Sequence, residues 1–281
     1  MTPHKRKILL LDNGREWGGG TNSMLELLKR IDRNQFDITC CFYHNYSRGN
    51  NETIEQILGS LTIPVTFIPQ RRQPLWAKIS KEIVRTLLFF SKESRKKAIH
   101  FVDRRWRIIP NAHKIGALLQ SGQFDLLYMN NQPSTNTEGY LAARPLNIPV
   151  VQHCRIDPVL NRQLVAMLNR DCEAIICVSH GVSHTLQRHG VHQHLCHTVS
   201  NAIDIHQPLP DRTAVRQALQ IAPETFVFGS IGSLIARKAN HHTLSALGRF
   251  HRLYPHADWK MLIVGTGPEQ ANLAQLAEKE Q

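Results

Sequence analysis

The sequence predicts an α/β fold: a parallel sheet with helices on both faces, in a chain of about two domains. Short apolar runs alternate with helical patterns along the 281 residues, the rhythm of strand–helix–strand units joined in parallel. The length suits about two domains. The third observation is FVFGSIGSLIARKAN, residues 226–240. It reads as a strand, a small-residue turn carrying Arg237 and Lys238, and the start of a helix. α/β proteins hold phosphate in this way, with turn N–H groups, a helix N-terminus and a full positive charge. The same residues also read as an ordinary strand-to-helix connection with two solvated cations.

Residues 7–11 form the first expected strand, which empties into DNGREWGGG at 12–20. A helical pattern follows through Met24, Leu25, Leu27, Leu28 and Ile31. Gly18, Gly19 and Gly20 let the backbone approach a ligand at that helix's N-terminus. The run is neither GxGxxG nor a Walker loop. Its basic opening and roughly four apolar residues make the chain's start a buried strand rather than a signal peptide. Strands are expected at 36–43 and 64–68 with a helix at 52–61 between them.

The segment 71–107 interrupts the rhythm. Twelve Lys and Arg are opposed there by Glu82, Glu93 and Asp103, so it supplies +9 of the chain's formal +12. Such a charge calls for an anionic partner: lipid head groups, nucleic acid or a phosphorylated substrate. Trp76, Ile79, Ile83, Val84, Leu87, Leu88 and Phe90 recur at near-helical spacing, and the segment is long enough for two helices. One reading is a basic amphipathic helix lying in a bilayer interface. The other is a helix packing its apolar side on the sheet with its cations solvated. No RNP-like or helix-turn-helix pattern supports nucleic acid.

A helix at 112–120 leads to a strand at 124–129 that ends at Asn130 and Asn131, then a turn at 133–137 and a helix at 138–144. The strand at 149–152 ends at His153 and the turn CRIDP. Another spans 172–178, ending at Ser179 with a helix at 181–188 behind it. After a short strand at 197–200, the two prolines of NAIDIHQPLPDR suit an interdomain linker. A helix at 213–219, the 226–231 strand, a helix at 241–253, a strand at 259–264, the turn GTGP and a final helix complete the chain.

Other chemistries find less support. The six cysteines show no CxxC and no regular spacing, which predicts reduced, mostly buried thiols of a cytoplasmic protein. His184, His189, His192, His194, His197 and Cys196 could ligate a metal only if a helix end, a loop and a strand converged. Nothing sets Asp12, Glu16, Asp157 and Asp204 as a hydrolase pair, and no Gly-x-Ser-x-Gly elbow is present.

The order of motifs resembles the retaining GT-B glycosyltransferases, of the family 4-like type that includes many lipopolysaccharide and glycolipid enzymes. Gly18–Gly20 resembles the glycine-rich loop after the first strand. FDLLYMNN, IPVVQHCRIDP and AIICVSHGVSHTLQRHGV resemble three successive strand motifs, the second ending in a His. TVSNAID is similar to the pattern "v-i-p-N-G-v-D", with Ala202 where Gly is usual. GSIGSLIARKAN resembles "v-G-R-L-x-x-x-K-G", and MLIVGTGPEQANLAQLA resembles "l-x-I-v-G-x-G-p".

The resemblance implies two Rossmann-like domains, 1–205 for the acceptor and 206–281 for a nucleotide-diphosphate sugar, with the basic insertion at 71–107. Lys238 matches the family's phosphate-binding Lys, and the Gly18–Gly20 loop would close on the same diphosphate. His153 would contact the transferred sugar or the acceptor, and Asn201, Asp204 and Gly265 the nucleotide or sugar. Ser233 replaces the family's phosphate-binding Arg, which Arg237 could supply. No metal or other cofactor is required. Trp76, Lys78, Lys81, Arg85, Lys96, Lys97, Arg104 and Arg105 would face an anionic membrane or a lipid-linked or lipopolysaccharide-type acceptor, at the cytoplasmic face of a membrane. The family's paired glutamates lie beyond Gln281, so the chain reads as a C-terminally truncated transferase, its second domain incomplete. The alternative is a non-catalytic remnant that binds membrane or acceptor.

Overall fold

The computed structural model describes residues 5–14, 17–49, 51–70, 72–206 and 208–280; Glu16 and Gln281, named above, and the first residue of the basic segment lie outside them. The chain forms two compact units that divide between Ile203 and Asp204.

The first unit runs β1 (Arg6–Leu11), α1 (Gly19–Arg30), β2 (Phe36–Phe42), α2 (Ile54–Ser60), β3 (Val65–Phe67), α3 (Leu75–Leu87) and α4 (Lys92–Asp103). One π-helical turn, Arg104–Ile108, carries α4 directly into α5 (Ile109–Ser121). Then come β4 (Leu126–Met129), α6 (Thr137–Ala143), β5 (Val150–Cys154), α7 (Arg162–Asp171), β6 (Cys172–Cys177), α8 (His180–Arg188) and β7 (Cys196–Thr198). The strands form one parallel sheet in the order β3-β2-β1-β4-β5-β6-β7. β1 shows why both faces are covered. Leu9 and Leu11 pack on one side with Ile115, Leu127, Met129 and Tyr140. Ile8 and Leu10 pack on the other with Met24, Leu28, Phe42 and Ile54. A strand whose apolar run, Ile8 to Leu11, alternates between two cores must be sandwiched between helix layers.

Two expectations change. β5 extends to Cys154, so His153 lies inside the strand and Arg155 follows it. The stretch between the turn CRIDP and β6, for which no element was expected, holds α7. Asn161 starts that helix by accepting the Leu164 N–H at 2.9 Å, and Leu164, Val165 and Leu168 are buried along one side.

The second unit comprises α9 (Arg212–Ala218), β8 (Phe226–Ile231), a 3-10 turn Ala236–Lys238, α10 (Asn240–Leu253), β9 (Trp259–Val264) and α11 (Gln270–Glu280). β8 and β9 pair in parallel, Phe226 opposite Trp259 and Ile231 opposite Val264. Leu234, Leu244 and Leu273 form its small buried core.

Candidate functional site

Chain order in the first sheet reverses between β1 and β4, and open parallel sheets bind ligands at the carboxyl ends of strands at such a switch point. The residue after each strand there is polar. Asp12, buried after β1, accepts from Asn130 Nδ2 at 2.7 Å and from the Gly14 N–H at 3.2 Å. Burial pushes its carboxyl above the ordinary value, while those hydrogen bonds and the nearby Arg155 charge pull the other way.

Arg155 ties the crevice together. Its Nε donates to Asn130 Oδ1 at 2.8 Å, and its Nη1 donates to Ser23 Oγ at 2.6 Å and Asn201 Oδ1 at 3.4 Å. Ser23 in turn donates to Asn201 at 2.7 Å. Nη2 of the same guanidinium is buried without a hydrogen-bond partner among the described residues. Beside it His153 bonds through Nδ1 to the Tyr128 hydroxyl, and its buried Nε2 has no partner among the described residues either. Burial first, and the Arg155 charge second, lower the imidazole to about 3, so the ring is neutral at physiological pH. Tyr128, raised to about 12 by burial, keeps its proton. Nε2 is the ring's unengaged polar atom, a donor to a substrate oxygen in one tautomer and an acceptor from a substrate hydroxyl in the other.

The glycine loop lies against this cluster. A Cβ on Gly20 would sit 3.6 Å from Arg155 Cδ, whereas one on Gly18 or Gly19 would meet nothing within 4 Å. Protein packing therefore does not demand the first two glycines. α1 begins at Gly19 with no side-chain cap and no acid in its first turn, which leaves its N–H groups for an anion.

In the second unit the turns after β8 and β9 are laced together. The Gly232 N–H donates to Val264 O at 2.9 Å, and the Leu234 N–H to Thr266 O at 2.9 Å. Gly265, at φ +153°, passes so near Gly232 that a Cβ would fall 1.9 Å from its carbonyl oxygen. Lys238 is exposed in the 3-10 turn, its Cε 3.9 Å from the Cβ position of Gly232, and Arg237 is exposed next to it. Asp204 also belongs to this unit and accepts the His206 N–H at 3.0 Å.

The basic insertion divides by environment. Leu75, Ile79, Ile83 and Leu87, one stripe of α3, are each more than half exposed, and Trp76, Phe89 and Phe90 extend it. Lys81 does not join the outward cations. Only 14% of its side chain is exposed, its Nζ pairs with Asp103 at 2.5 Å, and it lies over the Trp106 ring. Lys78, Lys96, Arg104 and Arg105 are exposed, while Arg85 pairs with Glu82 and Lys97 with Glu93. No helix among the described residues is long and apolar enough to cross a membrane. Among those residues no three His, Cys, Asp or Glu side chains converge as a metal site would require.

Of the residues expected from sequence, the first unit brings together His153, Gly18–Gly20 and Asn201, and the second gathers Arg237, Lys238 and Gly265. Asp12, Ser23, Asn130 and Arg155 were not expected. The signal that could have found them is positional: three of the four directly follow a strand.

The fold is similar to that of Anabaena HepE, solved in complex with UDP and glucose, with a TM-score of 0.68 and 20% identity over 98% of this chain and 66% of HepE. A glycosyltransferase from Rickettsia africae matches with a TM-score of 0.70 and 12% identity, over 99% of this chain and 65% of the other. The lipopolysaccharide outer core galactosyltransferase WaaB matches at 0.57 and 11%, over 98% and 65%. The chain thus spans just under two thirds of the length of each of these proteins. At such identities the likeness establishes the fold, GT-B. No curated protein matches the sequence significantly. The model of Glycosyltransferase Family 4 matches residues 17–207, well over half of the chain and nearly all of the switch-point crevice, and the chain belongs to that family.

Proposed function

We propose that this chain transfers a sugar, with retention, from a nucleotide-diphosphate donor to a lipid-linked or lipopolysaccharide-type acceptor. The observation that carries the reading is the pair of buried, unpartnered polar atoms at the switch point, His153 Nε2 and Arg155 Nη2. A buried guanidinium N–H left without a partner is costly unless a ligand takes it. Membership of a glycosyltransferase family supports the reading. So do HepE, whose structures hold UDP with glucose and UDP-glucose, and WaaB, a galactosyltransferase of the lipopolysaccharide outer core.

Glycosyl transfer leaves negative charge on the departing diphosphate, and fixed cations and N–H dipoles stabilise it most strongly where water is excluded. Lys238 and Arg237 take that role in the second unit, with the glycine-framed turns letting phosphate reach the backbone. In the first unit, neutral His153 contacts a sugar hydroxyl as a positioned hydrogen-bonding group. Arg155 and the N-terminus of α1 attract an anionic group of donor or acceptor. No metal enters the scheme. The exposed stripe of α3, with Lys78 and Arg105, seats the protein on the cytoplasmic face of an anionic membrane that supplies the acceptor.

Calorimetric titration of the full chain with UDP, GDP and ADP tests the donor assignment. One nucleotide is expected to bind, with Lys238→Ala weakening it about tenfold or more, a loss of roughly 1.4 kcal/mol. Arg155→Ala is expected to abolish release of UDP or its equivalent from the nucleotide sugar. Binding of none of the three nucleotides sinks the transferase reading. It would favour the second one, a non-catalytic domain that binds membrane or acceptor. That alternative draws on the second unit's exposed strand side chains, Phe226, Ile231 and Val264.

A further inference from the structure

Away from the switch-point crevice, the first unit contains a cleft of about 820 Å³ between α4 and the pair α6–α7. Its floor is apolar: Phe101, Ile108, Leu141, Leu164 and Met167. Cations frame it: Lys96 and Lys97 on α4 and Arg104 at the start of the π-helical turn on one side, Arg144 and Arg170 on the other. No carboxylate lines it among the described residues. Neutralisation from outside is partial. Glu93 holds Lys97 at 2.9 Å, and Asp171 holds Arg170 at 2.6 Å, with Arg144 more loosely at 3.9 Å. One end of the cleft is built by Ser134, Thr137 and Asn161, which lie in or beside the loops that leave β4 and β5 and carry Asn130 and Arg155.

This chemistry selects its ligand. A free anion would use the rim and leave Phe101, two-thirds exposed, in water. A plain hydrocarbon would use the floor and gain nothing from a rim of like charges that repel one another. A molecule that joins the two satisfies both. We propose that the cleft binds an amphiphile with a phosphate or diphosphate head on a hydrocarbon chain. Arg104 and Lys97 take the head, and Phe101, Leu141 and Met167 take the first part of the chain. That this amphiphile is the acceptor rests on the transferase reading; its binding in the cleft does not.

The test uses the full chain and decyl phosphate below its micellar concentration, titrated by calorimetry beside inorganic phosphate and the uncharged decyl glucoside. Decyl phosphate is expected to bind about tenfold or more tightly than either comparator. Arg104→Glu, a change at an exposed position, is expected to weaken it about tenfold, and Arg104→Lys to restore most of the affinity. Met167→Trp, which fills the floor, is expected to remove the preference for decyl phosphate over inorganic phosphate, with an unchanged melting curve establishing that the variant is folded. Equal affinity for decyl phosphate and phosphate would reduce the cleft to an anion patch. Equal affinity for decyl phosphate and decyl glucoside would reduce it to an apolar one. Either result, or no binding of decyl phosphate, overturns the proposal. UDP binding measured on the same proteins reports separately on the donor site, so failure of the transferase reading and failure of the cleft are told apart.

Discussion

His153 and Arg155 are adjacent in sequence but for one cysteine, yet burial acts on them differently. The imidazole loses its charge, its pKa lowered to about 3, whereas the guanidinium, although also lowered, stays charged because its ordinary value is so high. The neutral ring carries a cost in acid. Between about 3 in the folded state and 6.5 when exposed, the unfolded chain binds a proton that the folded chain refuses. Stability therefore rises with pH across that window, by at most about 1.4 kcal/mol per pH unit, and this contribution levels off once the pH is below both values or above both. His153→Gln removes this term. Its urea midpoint is expected to decline less than that of the wild type between about pH 6.5 and about pH 4. Parallel declines in the two proteins would show that His153 titrates normally.

The glycines separate two jobs within single elements. Gly265 is required by the protein itself, because its backbone crosses that of Gly232 where a side chain cannot fit and its φ is positive. Gly265→Ala is expected to destabilise the second unit by roughly 3 kcal/mol or more, seen as a lowered melting transition. Gly18 is extended, with open space where a Cβ would stand. Gly18→Ala should leave the melting transition within about 0.5 kcal/mol of wild type, so any loss of ligand binding in that variant reports on backbone approach. Elements with a strong period, such as β1, β8, β9 and α10, are legible in the sequence to within about a residue. α7 was not expected, although Leu164, Val165 and Leu168 stand at helical spacing behind the Asn161 cap, a signal the sequence carried.

At the scale of the whole molecule, most of the excess positive charge lies on the insertion that precedes α5, and the same insertion carries an exposed apolar stripe along α3. In α3, Ala77 and Lys81 face inward while Leu75, Ile79, Ile83 and Leu87 face out, so a strongly amphipathic helix presents the side that a lone globular domain would bury. Ile79→Asp combined with Ile83→Asp is expected to lower co-sedimentation with anionic vesicles by roughly tenfold, with no change in melting transition. Binding to zwitterionic vesicles should be weak for both proteins. Unaltered binding to anionic vesicles would exclude the stripe as the anchor.

The sequence alone determines the α/β class, the order of the strands and of most helices, the basic insertion, and the strand–turn–helix that carries Lys238. These depend on local periodicity, on glycine and on charge, all of which act over a few residues. The tertiary structure decides what depends on distant partners. Arg155 matters because Ser23, Asn130 and Asn201, far apart in the chain, meet at its guanidinium. Lys81 looks like its exposed neighbours in sequence but is drawn inward by Asp103 and Trp106. The cleft under α4 exists only because the insertion folds back toward α6 and α7. Charge and polarity are written residue by residue, but which charges share a space is set by how the sheet orders its strands.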